Sequence, residues 1–219
     1  MKTKPIHSIV PILTMLAAAA LLSGCGTTSA YKQAEKTGAG IASFRAEVVN
    51  ANKTIDATMR SLDDIAATAN TNPRGAFARF SKNVKNLEST AAKMGKRSLS
   101  MQQKGQAYFR QWEQELATVN NPEVRRLAEQ RKAKLQETFA TIRKYTEPLK
   151  AQFDPWMSDL KDLQKYLSQD QTIAGIDSAK ALFAKTTSEG VEVQKSMDAL
   201  VAELNTVAAA LTPAKVQGM

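Results

Sequence analysis

Apolar residues recur at alternating intervals of three and four over four long stretches of this chain, with only short polar breaks between them. In the first stretch Ile41, Val48, Ile55, Leu62 and Ala69 fall seven residues apart, and Phe44, Ala51 and Ile65 each lie three after a member of that series. This spacing draws one apolar stripe along a helix and does not fit the two-residue alternation of a strand. The second stretch carries Phe77, Phe80, Val84, Leu87, Ala91, Met94, Ser98, Met101, Gly105, Tyr108, Trp112, Leu116 and Val119. The small Ser98 and Gly105 on that seam predict close helix approach. The third runs from Val124 through Leu135, Phe139, Ile142, Leu149, Phe153 and Trp156 to Leu167, and the fourth from Ile173 through Phe183, Val193 and Leu200 to Leu211.

Asn70-Thr71-Asn72-Pro73 and Asn120-Asn121-Pro122-Glu123 are the first two breaks, and Ser168 to Gln171 is the third. Asn favours a turn, and Pro is tolerated at the first position of a helix. Four long helices joined by short turns must be antiparallel neighbours. The expected fold is therefore all-α: an elongated antiparallel bundle of about four long helices with coiled-coil-like heptad seams. The helices are expected at about 31–69, 73–119, 123–167 and 172–211, within a domain of residues 31–212 and ahead of a loose tail, 213–219. Helices of that length span about 60 Å. Pro148 and Pro155 fall inside the third helix. Each removes a helix hydrogen bond, so the sequence allows either two kinks or a true break near Pro155.

The chain opens with Lys2 and Lys4, followed by an apolar run from Ile9 to Leu22 and then Leu22-Ser23-Gly24-Cys25. The run is too short for a spanning helix and fits the apolar region of a signal peptide. A cysteine after small residues at that place reads as a lipobox. Residues 1–24 are then a lipoprotein signal peptide cut between Gly24 and Cys25. The Cys25 thiol carries diacylglycerol and the new amino group an acyl chain, and several chains anchor a protein stably. Residues 25–30 read as the lipidated cysteine and a short polar tether. Gly26, rather than Asp, favours the outer membrane of a Gram-negative host, with the body facing the periplasm.

Cleavage at Cys25 would also remove His7, the single histidine, while acylation blocks the single thiol. Without His or a free thiol, Ser-His-Asp and Cys-His catalysis and a zinc site of ordinary composition are excluded. Carboxylate-only chemistry stays open. Acidic residues two apart, such as Glu113 and Glu115, point to different faces of a helix; residues three apart, such as Asp159 and Asp162, are ordinary surface neighbours. The expectation is a protein that is not an enzyme and holds no metal or cofactor beyond its covalent lipid.

Charge is uneven. Between Arg74 and Arg110 lie nine basic residues and one acid, Glu88, in a chain of net charge +9. Arg79, Lys82, Lys85, Lys93, Lys96, Arg97 and Arg110 are the candidates for binding an anionic surface: headgroups, acidic glycan or a partner protein. The plainer reading is a solvated face paired in part with Asp56, Asp63 and Asp64 of the first helix. Nucleic acid is a poor partner for an exported chain with no recognition motif. Tyr108, Phe109, Trp112, Phe139, Tyr145, Phe153, Trp156 and Tyr166 gather in the second and third helices. Helical spacing makes most of them core; Phe109 lies beside the seam and is open to a partner contact.

Several segments carry a family resemblance. Tyr31-Lys32-Gln33-Ala34-Glu35-Lys36-Thr37-Gly38 follows closely on the lipobox; further on come Tyr108-Phe109-Arg110-Gln111-Trp112-Glu113-Gln114-Glu115-Leu116 and Asn120-Asn121. Glu147-Pro148-Leu149-Lys150-Ala151-Gln152-Phe153 and Thr172-Ile173-Ala174-Gly175-Ile176 complete the set. In these the chain resembles the bacterial domain-of-unknown-function family 2959, small lipoproteins of Gram-negative bacteria. The resemblance implies an all-helical, coiled-coil-like envelope lipoprotein and assigns no activity. Pro155 and the basic stripe depart from that pattern.

Two roles remain open to such a chain. It is either a scaffold, spacer or protein-interaction module of the envelope, or a membrane-binding or membrane-shaping module that uses the basic stripe. Heptad seams serve one chain or several, so self-association through the helices also stays open.

Overall fold

The computed structural model describes residues 25–211, with backbone alone for 25–31. The signal segment 1–24, with Gly24, and the tail 213–219 lie outside the described residues. Four helices follow one another: α1 Cys25–Ala67, α2 Pro73–Ala117, α3 Pro122–Gln169 and α4 Ile173–Leu211. The expected all-α bundle is what the chain forms.

The Asn-Pro breaks work as local chemistry requires. Asn72 caps α2 by accepting from the Gly75 N–H at 3.0 Å, with Pro73 in the first turn. Asn121 caps α3, accepting from the N–H groups of Glu123 and Val124 at 2.9 and 3.1 Å. Each cap satisfies donors that the first turn leaves unpaired. At α4 the Thr172 hydroxyl accepts from the Gly175 N–H at 3.1 Å, and the Asp170 carboxylate accepts from the Thr172 N–H and hydroxyl at 2.9 and 2.7 Å.

One boundary expectation changes, and one open alternative is resolved. Residues 25–30 are the beginning of α1, not a tether. Gly-Thr-Thr-Ser has the composition of a turn, but it contains no proline to stop a helix. The third helix is unbroken through Pro148 and Pro155. Both prolines are exposed, as are Lys144 and Ala151, whose carbonyls lose their partners at positions i−4. Water can bond those carbonyls, so the helix continues.

Neighbouring helices run antiparallel in the ring order α1, α2, α3, α4, with α1 and α2 the most closely apposed pair. Asp64 meets Arg79 and Glu47 meets Arg97 between α1 and α2. Asn52 meets Asp198 and Asp63 meets Thr187 between α1 and α4. Glu113 meets Lys132 between α2 and α3, and Asp159 meets Lys185 between α3 and α4. The start of α1, the α2–α3 turn and the end of α4 therefore share one end of the bundle. The predicted seams supply most of the core, in which Ile41, Val48, Phe80, Leu87, Leu160 and Leu200 are buried, but Val124 and Ile173, the first seam residues of the third and fourth helices, are exposed. The Trp156 indole N–H donates to the Thr186 carbonyl at 2.7 Å and ties α3 to α4 inside it.

The helices are not flush at the shared end. Leu211 ends α4 thirteen residues beyond Asp198; thirteen residues back along α1 from its partner Asn52 stands Ala39. The segment of α1 from Cys25 to Gly38 thus overhangs α4. The start of α3 overhangs too, since the Arg131 guanidinium donates to the Ala210 carbonyl at 2.8 Å. Among the described residues, three helices continue there without the fourth.

Candidate functional site

Cys25 is the first described residue, and α1 runs on from it. Whatever is attached at that residue leads without an intervening coil into a helix of 43 residues. None of the described helices is long and apolar enough to cross a membrane.

The basic stripe lies along the exposed side of α2, and its members divide into two sets. Arg79 reaches Asp64 at 3.5 Å and Arg97 reaches Glu47 at 4.0 Å, both across to α1. These ion pairs are solvent-exposed and worth little, about 0–1 kcal/mol each. Lys82, Lys85, Lys93, Lys96 and Arg110 are exposed and make no ion pair among the described residues. Pairing with Asp56, Asp63 and Asp64 is thus narrower than expected. Asp56 bonds Arg60 on its own helix, Asp63 accepts from Thr187 of α4, and Asp64 alone meets the stripe. Glu88, the one acid within the stripe, is drawn away to Lys161 of α3 at 2.5 Å.

Beside the stripe a shallow groove of about 390 Å³ runs between α1 and α2. Asn50 and Lys53 line one side, with Asn83, Asn86, Ser89 and Lys93 on the other, and no carboxylate lines it. Amide and hydroxyl donors with two ammonium groups suit a polar or anionic ligand. Lys53 is the member of this group that the stripe on α2 could not reveal, because the seam pattern does not say which α1 residues face α2.

Six of the eight aromatics form two groups rather than one pocket, and Tyr145 and Tyr166 are exposed. Phe153 packs on Trp156 in the core with ring centroids 5.8 Å apart. Tyr108, Phe109 and Trp112 cluster nearer the Cys25 end, at 5.3 and 5.5 Å. Phe109, expected to be open to a partner, instead meets Phe139 of α3 edge-on at 5.4 Å. Close approach at Gly105 makes this possible: a Cβ there would lie 2.9 Å from the Phe139 ring.

Near the last described residues of α4, a groove of about 340 Å³ opens between Gln33 of α1, Tyr108, Trp112 and Leu116 of α2, and Ala128 of α3. Burial pushes the Tyr108 phenol above its ordinary pKa, the Arg131 charge opposes this, and the Glu115 charge adds to it. The acidic pairs named from the sequence do not converge: Glu113 faces Lys132 and Asp159 faces Lys185, while Glu115 is part-buried in the groove wall and accepts from Gln111 at 3.0 Å.

No curated protein and no solved structure matches the chain. The family described as "Protein of unknown function (DUF2959)" matches over residues 39–211, which takes in all four helices and leaves out the first turns of α1. The chain belongs to that family.

Proposed function

We propose that this chain is a lipid-anchored, non-enzymatic scaffold, spacer or interaction module of the cell envelope, held to the outer membrane through Cys25 and facing the periplasm. The observation that carries the reading is Leu22-Ser23-Gly24-Cys25 behind an apolar run, in a chain whose described part is helical from Cys25 onward. Cleavage before Cys25 would leave a chain that is helical from its first residue. Acyl chains on that residue would hold one end of a bundle about 60 Å long at the bilayer. The loss of His7 and the blocking of the thiol support the non-enzymatic part. Labelled palmitate incorporated by the parent chain and lost in Cys25→Ala tests the anchor. Equal labelling of both, or none of either, defeats it. Crosslinking in intact envelopes tests the scaffold role, and recovery of no protein or glycan partner counts against it.

A second reading is favoured by the five unpaired cations of α2 and the acid-free groove beside them. In it the exposed side of α2 lies against an anionic surface. Flotation of residues 25–219 carrying Cys25→Ser with anionic vesicles separates the two readings. Binding that weakens with salt and is lost on Lys82→Glu with Lys85→Glu supports the second; absence of binding at any salt removes it.

A further inference from the structure

We propose that the gap between α2 and α3 is a binding slot for one unbranched acyl chain with an anionic head, the chemistry of a long-chain fatty acid. These two are the least closely apposed of the neighbouring helices. Two contacts frame the gap. Glu88 meets Lys161 at 2.5 Å at one end, and Phe109 meets Phe139 edge-on at 5.4 Å at the other. Grooves of about 310 and 210 Å³ occupy the interval, and Thr146 lines both.

The slot is deep and apolar. Phe44 of α1 and Leu200 of α4 form its floor, so the gap reaches the middle of the bundle. Met101, Ile142 and Phe153 line the sides and are buried. Leu99, 58% exposed, stands four residues after Gly95 and three before Gln102, which both line the slot; it carries the apolar surface onto the rim.

Size selects the occupant. The lined stretch of α2 runs from Ala91 to Phe109, about 27 Å of helical rise. Spread over that length, the two volumes give a bore of roughly 20 Å². A helix about 10 Å across needs about 80 Å², so the helix of a second copy does not enter without parting α2 from α3. A single acyl chain does. Lipid tails fill each half of a bilayer core about 30 Å thick, so a tail of about 15 Å fits within the slot with room for its head.

Charge places the head. In the groove nearer Phe109, Arg143 is the single charged lining residue, set among Gln102, Gln106 and Gln136. The exposed Glu147 stands 3.9 Å from Arg143, a loose contact that leaves the guanidinium open to a closer acceptor. A guanidinium can hold a carboxylate through two parallel hydrogen bonds, and the amides add further donors. In the other groove Lys150 and Asp154 pair with each other, which leaves the tail end neutral. Neither the anchor nor the basic stripe enters this reading.

Equilibrium dialysis of radiolabelled dodecanoate, kept below its micelle-forming concentration, against residues 25–219 with Cys25→Ser measures the site. Binding should saturate at one chain per body. Gly95→Leu should weaken it about tenfold or more, because the new side chain takes the room of several methylenes. Gly95 lines the slot and a Cβ there meets nothing within 4 Å, so the variant fills the gap without disturbing the packed body. Unchanged far-UV helicity checks that. Arg143→Gln should weaken dodecanoate roughly tenfold and leave dodecanol unchanged, since the alcohol has no charge to lose. Binding that never saturates, or that Gly95→Leu leaves as it was, overturns the proposal. So does equal loss of acid and alcohol in Arg143→Gln, which would deny the head its place. Binding that disappears as the protein is diluted also overturns it, because the slot would then be an interface between copies.

Discussion

Gly190 is the position where a single methyl group tests the packing most directly. It is buried on α4 between Met59 of α1 and Trp156 of α3. A Cβ there would lie 2.4 Å from the Met59 sulfur and 3.0 Å from the Trp156 ring. Met59 is flexible and can yield. Trp156 cannot move far, because its N–H is bonded to the Thr186 carbonyl one turn earlier on α4. In an open helix Gly→Ala stabilises by about 1 kcal/mol. Overpacking a core costs about 1–3 kcal/mol. Gly190→Ala should therefore destabilise by about 0–2 kcal/mol, the difference of those terms. Gly95 supplies the reference: it is exposed on α2, and a Cβ there meets nothing within 4 Å. Gly95→Ala should gain the full 1 kcal/mol or so. Urea unfolding of residues 25–219 with Cys25→Ser, followed by far-UV dichroism at constant m, reads both. The gap between the variants is the packing term itself, about 1–3 kcal/mol. If Gly190→Ala stabilises as much as Gly95→Ala, α1, α3 and α4 do not converge at Gly190. Adding Met59→Ala should make Gly190→Ala less costly, because the two changes share one contact.

Three further outcomes follow from particular residues. Pro148→Ala and Pro155→Ala should each raise the unfolding midpoint and add about 1 kcal/mol or more, since each restores a helix donor on an exposed face; a loss would mean that the packing of Leu149 and Phe153 needs the bend that proline imposes. Hydrogen bonds from the Thr172 hydroxyl and N–H hold the Asp170 carboxyl below its ordinary pKa. Its contribution is then present above the ordinary carboxylate range and lost as pH falls through the lowered value, so Asp170→Ala should flatten the acid limb of a stability–pH curve and leave the neutral region shifted by a constant. Burial raises the Tyr108 phenol, so its contribution is full below the ordinary tyrosine range and lost as pH climbs through the raised value; Tyr108→Phe should flatten the alkaline limb, and an unchanged limb would mean that the ring is not buried at the groove.

The helices themselves were legible because both of their signals are local. An apolar residue every three or four positions specifies a face, and Asn-Pro specifies a start, as Asn72 and Asn121 show by capping in the way their side chains allow. What could not be read was register between helices. Asp56, Asp63 and Asp64 all looked available to the basic stripe, yet Asp56 turns to Arg60 and Asp63 to Thr187. The same limit hid Lys53, which shares a groove with Lys93 only because α1 and α2 lie at one particular offset. Phe109 looked spare because its partner Phe139 is 30 residues away on another helix, and Gly105 announced close approach without naming what approached. The prolines were ambiguous for a different reason. Whether a helix survives a proline depends on where the freed carbonyl points, and only the packed bundle shows that Lys144 and Ala151 face water.

The misread start of α1 reaches furthest. A coil from residue 25 to residue 30 would leave the body free to swivel on its attachment. It would also bring the start of α1 closer to level with the end of α4. A helix from Cys25 does the opposite on both counts. It makes α1 overhang the described part of α4 by the length from Cys25 to Gly38, so the Tyr108–Val119 part of the α2 seam runs on past the last described residue of α4. It also couples Cys25 directly to the bundle axis. In the anchored form proposed for this chain, the orientation of the whole body would then be set by one stiff helix, and the groove would lie at the bilayer end of that helix. The stiff start of α1 and the groove beside it are therefore not independent features: both need a helix that runs on through Gly26, Gly38 and Gly40, and no proline stands between Cys25 and the first turn of the seam to stop it.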